Sequence, residues 1–227
     1  MAVTDPKKAL ADVFWIGGPP DSGKTTVADL VGGRCGVSVY HLDRQEVDHI
    51  RRSDARLHPA TYALRGLLAE PVDAPLLEET WVSSSPEKMA ERAMASWSDW
   101  MPLVIEDLLA LPDGTPIIAE GPGFLPSALR PWLSEVGHAI WLIPGASFQR
   151  RSYTMREKGA WRRDLVSDPD RADRNHMERD RWMAEGYRRE VQEWGLPFLE
   201  VDGTLEPVIL IHDVDGIRCW AAWTHQG

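Results

Sequence analysis

"GGPPDSGKTT", residues 17–26, decides how this chain is read. Gly18, the four residues Pro19, Pro20, Asp21 and Ser22, then Gly23, Lys24 and Thr25 fit the pattern G-x-x-x-x-G-K-[ST] in full. Glycines let the backbone curl so that successive N–H groups point inward, and a following helix adds its partial positive N-terminus. Such a loop holds the phosphates of a nucleotide. Lys24 is expected to bridge the β- and γ-phosphates, Thr25 to offer its hydroxyl to Mg²⁺, and Thr26 to follow in the first helical turn. Asp21 is the oddity, an anion inside an anion site. Aspartate tolerates positive φ better than most residues, so its side chain is expected to point outward. It then meets an arginine of a closing lid, an acceptor hydroxyl, or solvent.

The flanks have the required context. "DVFWIGG" is a short apolar run ending in glycines. "KTTVADLVGG" continues at helical spacing, with Gly32 and Gly33 as a stop. "VSVYHLD", residues 37–43, reads as a second strand that delivers Asp43 to its end. "TPIIAEGPG" (115–123), "HAIWLIPG" (138–145) and "PFLEVDG" (197–203) read as three more strands. Strands alternating with helices predict an α/β fold with a parallel sheet.

Residues 44–115 differ, being charged, helical in pattern and broken at Pro59, Pro71, Pro75, Pro86 and Pro102. "SPEKMAERAMASW" opens a helix, with Ser85 as N-cap and Pro86 at the first position. The block is too long for a simple crossover and suits a substrate-binding insertion. "FQRRSYTMREKG" predicts another helix, followed by an arginine-rich segment and a long helix from about Pro169 to Trp194. The tail "PVILIHDVDGIRCWAAW" fits helix or strand.

Composition bounds the rest. The chain has 227 residues, 43% hydrophobic, which suits one domain over 1–227. A net charge of -10 argues against nucleic-acid binding, which needs a basic footprint. The two cysteines, Cys35 and Cys219, carry no pairing motif and suggest a reduced, cytoplasmic setting. About five apolar residues precede the glycines, too few for a signal core or membrane span. The histidines lack metal-site spacing. Most of the eleven tryptophans are expected in the core.

On the loop "GGPPDSGKTT" the chain resembles the P-loop kinases of nucleotides and small molecules. The loop is similar to those of adenylate and uridine kinases. The order of elements over roughly 12–203 is similar to shikimate kinase, gluconate kinase and chloramphenicol phosphotransferase. The resemblance implies a P-loop NTPase three-layer sandwich with a five-stranded, mostly parallel sheet and an arginine-rich lid at 150–175. It also implies a phosphotransferase using ATP and Mg²⁺. No N-K-x-D motif for guanine follows a late strand. Asp43 in "YHLDR" occupies the place where relatives touch the acceptor hydroxyl or the metal. Glu120, with Gly121, stands where an acidic residue helps to hold Mg²⁺ or contacts substrate. Residues 150–189 hold eleven arginines. Arg156, Arg162, Arg163, Arg171 and Arg174 are the lid candidates, Arg156 and Arg171 as catalytic groups and Arg163 and Arg174 on the nucleotide. A guanidinium fork binds phosphate oxygens bidentately.

Two signals for the acceptor disagree. Arg44, His49, Arg51 and Arg52 suit an anion. Glu78, Glu79, Trp81, Trp97, Asp99 and Trp100 suit a cationic or ring-bearing molecule. The leading expectation is a kinase acting on a hydroxyl of a small metabolite, nucleoside or antibiotic. The alternatives are a nucleoside monophosphate kinase and a regulatory ATPase module with no acceptor.

Overall fold

The computed structural model describes residues 6–112, 114–203, 205–214 and 217–225, with backbone alone for Pro6 and from Leu205 onward. In chain order the elements begin α1 (Pro6–Ala9), β1 (Val13–Gly17), α2 (Lys24–Cys35), β2 (Ser38–His41) and α3 (Leu42–Arg52). The helical block adds α4 (Pro59–Tyr62), a 3₁₀ segment Ala63–Leu68, α5 (Ala74–Glu78) and α6 (Pro86–Leu109). Then come β3 (Ile117–Glu120), α7 (Pro126–Leu129), β4 (Ala139–Pro144), α8 (Ala146–Met155), α9 (Pro169–Glu193), β5 (Phe198–Val201), β6 (Leu205–Val214) and β7 (Ile217–His225).

Strands β1 to β5 form one parallel sheet in the order β2-β3-β1-β4-β5. Alternation along each strand splits the core in two. Val13 and Trp15 of β1, Ile117 and Ala119 of β3, and Trp141 and Ile143 of β4 enter the cluster shared with α6 and α9. Ile16, Ile118 and Leu142 point the other way, into the cluster built on Val27, Ala28 and Val31 of α2. Both faces are therefore covered by helices, as parallel strands require. The fold is the α/β sandwich expected, with all five sheet strands parallel. The ambiguous tail pairs β6 with β7 as a separate antiparallel ribbon.

Several local expectations need correction. α2 does not stop at Gly32 and Gly33 but runs to Cys35, closed by Gly36 at φ 68°. Gly32 serves close approach instead, because a Cβ there lies 2.7 Å from Val39 Cγ2 and 2.8 Å from the Val37 carbonyl. β2 ends at His41, so Asp43 sits in the first turn of α3 rather than at a strand end. Pro102 does not break α6. An interior proline costs about 3 kcal/mol, whereas burial of Leu103, Val104, Ile105 and Leu108 returns roughly 1.5–3 kcal/mol each. Pro102 itself faces solvent, where water can satisfy the carbonyl it strands. The helix start is as read, with the Ser85 side chain accepting from the Lys88 N–H.

Cys35 is disulfide-bonded, contrary to the reduced thiol expected. The side chain of Cys219 lies outside the described residues. Among the described residues, no helix is long and apolar enough to cross a membrane.

Candidate active site

The loop between β1 and α2 is shaped from below by the sheet. A Cβ on Gly17 would meet Trp141 Nε1 at 2.5 Å, and one on Gly18, at φ 135°, would meet the Leu142 carbonyl at 2.2 Å. The loop then passes through positive φ at Asp21 (62°) and Gly23 (81°) before Lys24 opens α2. Lys24 is buried and spans the loop, donating to the Pro19 carbonyl (2.8 Å) and the Ser22 hydroxyl (3.2 Å). Burial lowers its pKa, and the nearby charges of Asp43 and Glu120 only partly oppose that.

Thr25 and Glu120, 95 residues apart, meet beside the loop. The Thr25 hydroxyl donates to Glu120 Oε1 at 3.1 Å. That same oxygen lies 2.8 Å from His41 Nδ1, while His41 Nε2 lies 3.2 Å from Asp29. Glu120 is 1% exposed, and its Oε2 is buried with no hydrogen-bond partner. An orphaned carboxylate oxygen beside a threonine hydroxyl fits a hard oxygen-seeking cation, and Mg²⁺ is commonly held by one or two protein oxygens plus phosphate and water. Thr25 and Glu120 have the chemistry that would suit such a cation, and no group of three or more His, Cys, Asp or Glu side chains placed to hold a metal occurs among the described residues.

A cavity of about 580 Å³ opens from this loop. Pro20, Asp21, Ser22, Gly23, Lys24 and Thr25 line one end. Asp43 and Glu46, one turn apart on α3, stand at its side, and Arg92, Arg156, Lys158 and Arg179 approach from α6, the lid and α9. The apolar part of its wall is Val47, Ile50, Leu64, Leu67, Leu68 and Met89, with Trp97 and Trp100. Glu46 is exposed on the cavity wall, yet desolvation by the surrounding protein and the charge of Asp43 push its carboxyl up to about 7, against the pull of Arg179.

Asp21 is not a solvated loop residue. Its side chain is buried, accepts from the Ser152 hydroxyl (2.9 Å), and pairs with Lys158 (2.9 Å) and, more loosely, Arg156 (3.8 Å). The lid therefore does contact this aspartate, through a lysine more closely than through an arginine.

Trp81 organises the arginine-rich region between α8 and α9. Arg162 and Arg179 stack on its ring at 4.5 and 5.1 Å, and His176 packs against it at 4.8 Å. Arg162 is fully buried and bound to Asp173 (2.7 Å), the Tyr153 hydroxyl (3.1 Å) and His176 Nδ1 (3.1 Å). Burial, then Arg179 and Arg162, push the pKa of His176 far down and keep it neutral.

Other expected site residues are not brought to the cavity. Arg163 turns outward onto Asp170 and Asp173. Arg171 is exposed, its N–H capped by Asp168. Arg174 lines a separate groove with Asn175 and Arg181. Thr26 and Arg44 are exposed and off the cavity wall. Gly121 makes room for Leu42, whose Cβ would lie 2.5 Å from a Cβ at 121, and so serves packing rather than substrate approach. His49 and Arg52 join Asp107 at 2.8 and 2.6 Å in a structural network, and the Arg51 carbonyl accepts from Arg65. Asp99 caps Ala60 and Thr61, Glu78 holds the Ser167 N–H, and Glu79 pairs with Arg92.

Glu46, Arg92, Lys158 and Arg179 escaped the sequence reading. Only Glu46 had a visible signal, since a residue three after Asp43 shares its helical face. No protein-family model matches the chain, and no curated protein matches it significantly. The chain is similar to the solved structure of TT1252 from Thermus thermophilus, at 18% identity and a TM-score of 0.43, over 85% of this chain and 89% of that one.

Proposed function

We propose that the protein is a kinase that uses ATP and Mg²⁺ to phosphorylate a hydroxyl of a small molecule. One observation carries this reading: the phosphate loop and the carboxylate of Asp43 line the same cavity, together with an apolar group that includes Val47, Leu64, Leu67, Trp97 and Trp100. Lys24 and the loop backbone bind the β- and γ-phosphates, with the helix N-terminus adding partial charge. Thr25 and Glu120 would hold Mg²⁺, which would supply positive charge against the phosphates. Asp43 aligns the acceptor hydroxyl and takes its proton as the new O–P bond forms and the bond to the ADP oxygen breaks. Arg156 and Lys158 leave Asp21 and turn to the transferring group, and the lid excludes water.

The remaining wall disfavours both alternatives. Against a mononucleotide acceptor, the unpaired side chains Asp43 and Glu46 on the cavity wall would repel its phosphate, and Arg92 on α6 is held by Glu79 at 2.6 Å. A regulatory ATPase needs no apolar chamber beyond the phosphates.

The test is ADP release in the presence of pooled nucleosides, sugars, aromatic alcohols and mononucleotides. Stimulation by a non-phosphorylated alcohol, with phosphate recovered on it, is the expected result. Equal release with and without every acceptor leaves the ATPase reading instead.

A further inference from the structure

Asp43 and Glu46 are the two carboxylates of the cavity wall that have neither a hydrogen bond nor an ion pair among the described residues. Three of the cavity cations are already in ion pairs, Arg92 with Glu79 (2.6 Å), Lys158 with Asp21 (2.9 Å) and Arg179 with Asp180 (2.6 Å), and Lys24 is bound within the phosphate loop. Arg156 faces Asp21 at 3.8 Å. The unpaired charge of the wall is therefore negative, beside the indole N–H groups of Trp81 and Trp100, which are also without partners. It lies next to a chamber walled by Val47, Leu64, Leu67, Met89, Trp97 and Trp100.

Asp43 and Glu46 stand three residues apart on α3, so they project from one helical face about 5–6 Å apart at their Cβ atoms. Two donors on neighbouring carbons, or one carbon further apart, bridge such a pair. An apolar ring beyond them reaches Trp97 and Trp100.

We propose that the acceptor is an uncharged or cationic molecule with a ring or other apolar body and two adjacent donors. One is the hydroxyl that Asp43 receives, and the other is a hydroxyl or amine that Glu46 binds. This rests on the kinase reading only for the fate of the first hydroxyl. Glu46 is then a specificity-determining residue, because a carboxylate without a partner binds a donor more strongly than a neutral acceptor does. The same pair repels phosphorylated and carboxylated acceptors.

The experiment measures binding in the absence of ATP, by calorimetry or tryptophan fluorescence, with four probes. These are 3-phenylpropane-1,2-diol, 2-amino-3-phenylpropan-1-ol, the mono-alcohol 3-phenylpropan-1-ol and cytidine 5′-monophosphate. In the wild type, the diol or the amino alcohol binds about tenfold more tightly than the mono-alcohol, the worth of one hydrogen bond to a charged group. Glu46→Gln removes that gap and leaves mono-alcohol binding unchanged, while Glu46→Asp keeps part of it. Equal binding of all three alcohols, a gap that survives in Glu46→Gln, or tightest binding of the mononucleotide overturns the proposal. If the gap appears but no probe is phosphorylated when ATP is added, the kinase reading fails and the acceptor class stands. If only a mononucleotide is phosphorylated, phosphoryl transfer stands and this inference fails.

Discussion

Lys158 Nζ lies 2.9 Å from Asp21 Oδ2, so the lid is tied to the phosphate loop by a residue that itself holds φ at 62°. Asparagine tolerates the same backbone conformation, so Asp21→Asn isolates the charge. The pair is buried on one side and a quarter exposed on the other. Its loss is expected to cost about 1–2 kcal/mol, between the values for surface and buried pairs. Urea unfolding measures this, and Lys158→Met in the same background should add little.

Lys24 is expected to oppose stability while serving function. Its pKa is depressed in the fold, so the native site holds the proton less tightly than the unfolded chain, which keeps it up to 10.5. The cost is largest near neutral pH and shrinks as pH rises toward that value. The stability of Lys24→Met relative to wild type should therefore fall between pH 7 and pH 9.5 in denaturant titrations. The same variant should lose about ten- to hundredfold in ATP affinity, the worth of a charged hydrogen bond.

Asp43→Asn keeps the shape of the first turn of α3 and removes the proton acceptor. Turnover is expected to fall about 10²–10⁴-fold, with ATP affinity little changed. Steady-state kinetics beside equilibrium ATP binding separate the two. Near wild-type turnover would show that Asp43 does not take the proton.

Glu46 titrates at about 7, above its ordinary 4.5. A carboxyl raised in the fold binds its proton more tightly when native, so its contribution is fully present below 4.5 and is lost as pH rises through 7. Glu46→Gln is expected to match wild type at pH 4.5 and exceed it at pH 8. The gain is no more than about 1 kcal/mol once cavity water is allowed for, or about 2–4 °C in Tm. Thermal melts across that range check the sign.

The phosphate loop was legible because its chemistry is local: spacing alone places Lys24 and Thr25 after Gly23. The five parallel strands were legible for the same reason, from short apolar runs bounded by glycines. Contacts across the chain were not. Nothing near Glu120 in sequence announces Thr25 or His41 as its partners. Nothing in an arginine-rich run separates Arg162, buried under Trp81, from Arg163, turned outward to Asp170. The Gly32 and Pro102 readings failed because both residues are breakers only when packing is weak. At both places the helix gains more from its buried face than the local preference costs.

The 3₁₀ segment Ala63–Leu68 contributes Leu64, Leu67 and Leu68 to the cavity, yet contains no fully buried residue. Its side chains face the chamber without anchoring the sheet. Substitutions there change the volume and shape offered to an acceptor at little expense to folding, since partly exposed sites typically shift stability by less than about 0.5 kcal/mol. The protein thus keeps the part that discriminates among partners apart from the part that must not vary, which makes its preference readily evolvable.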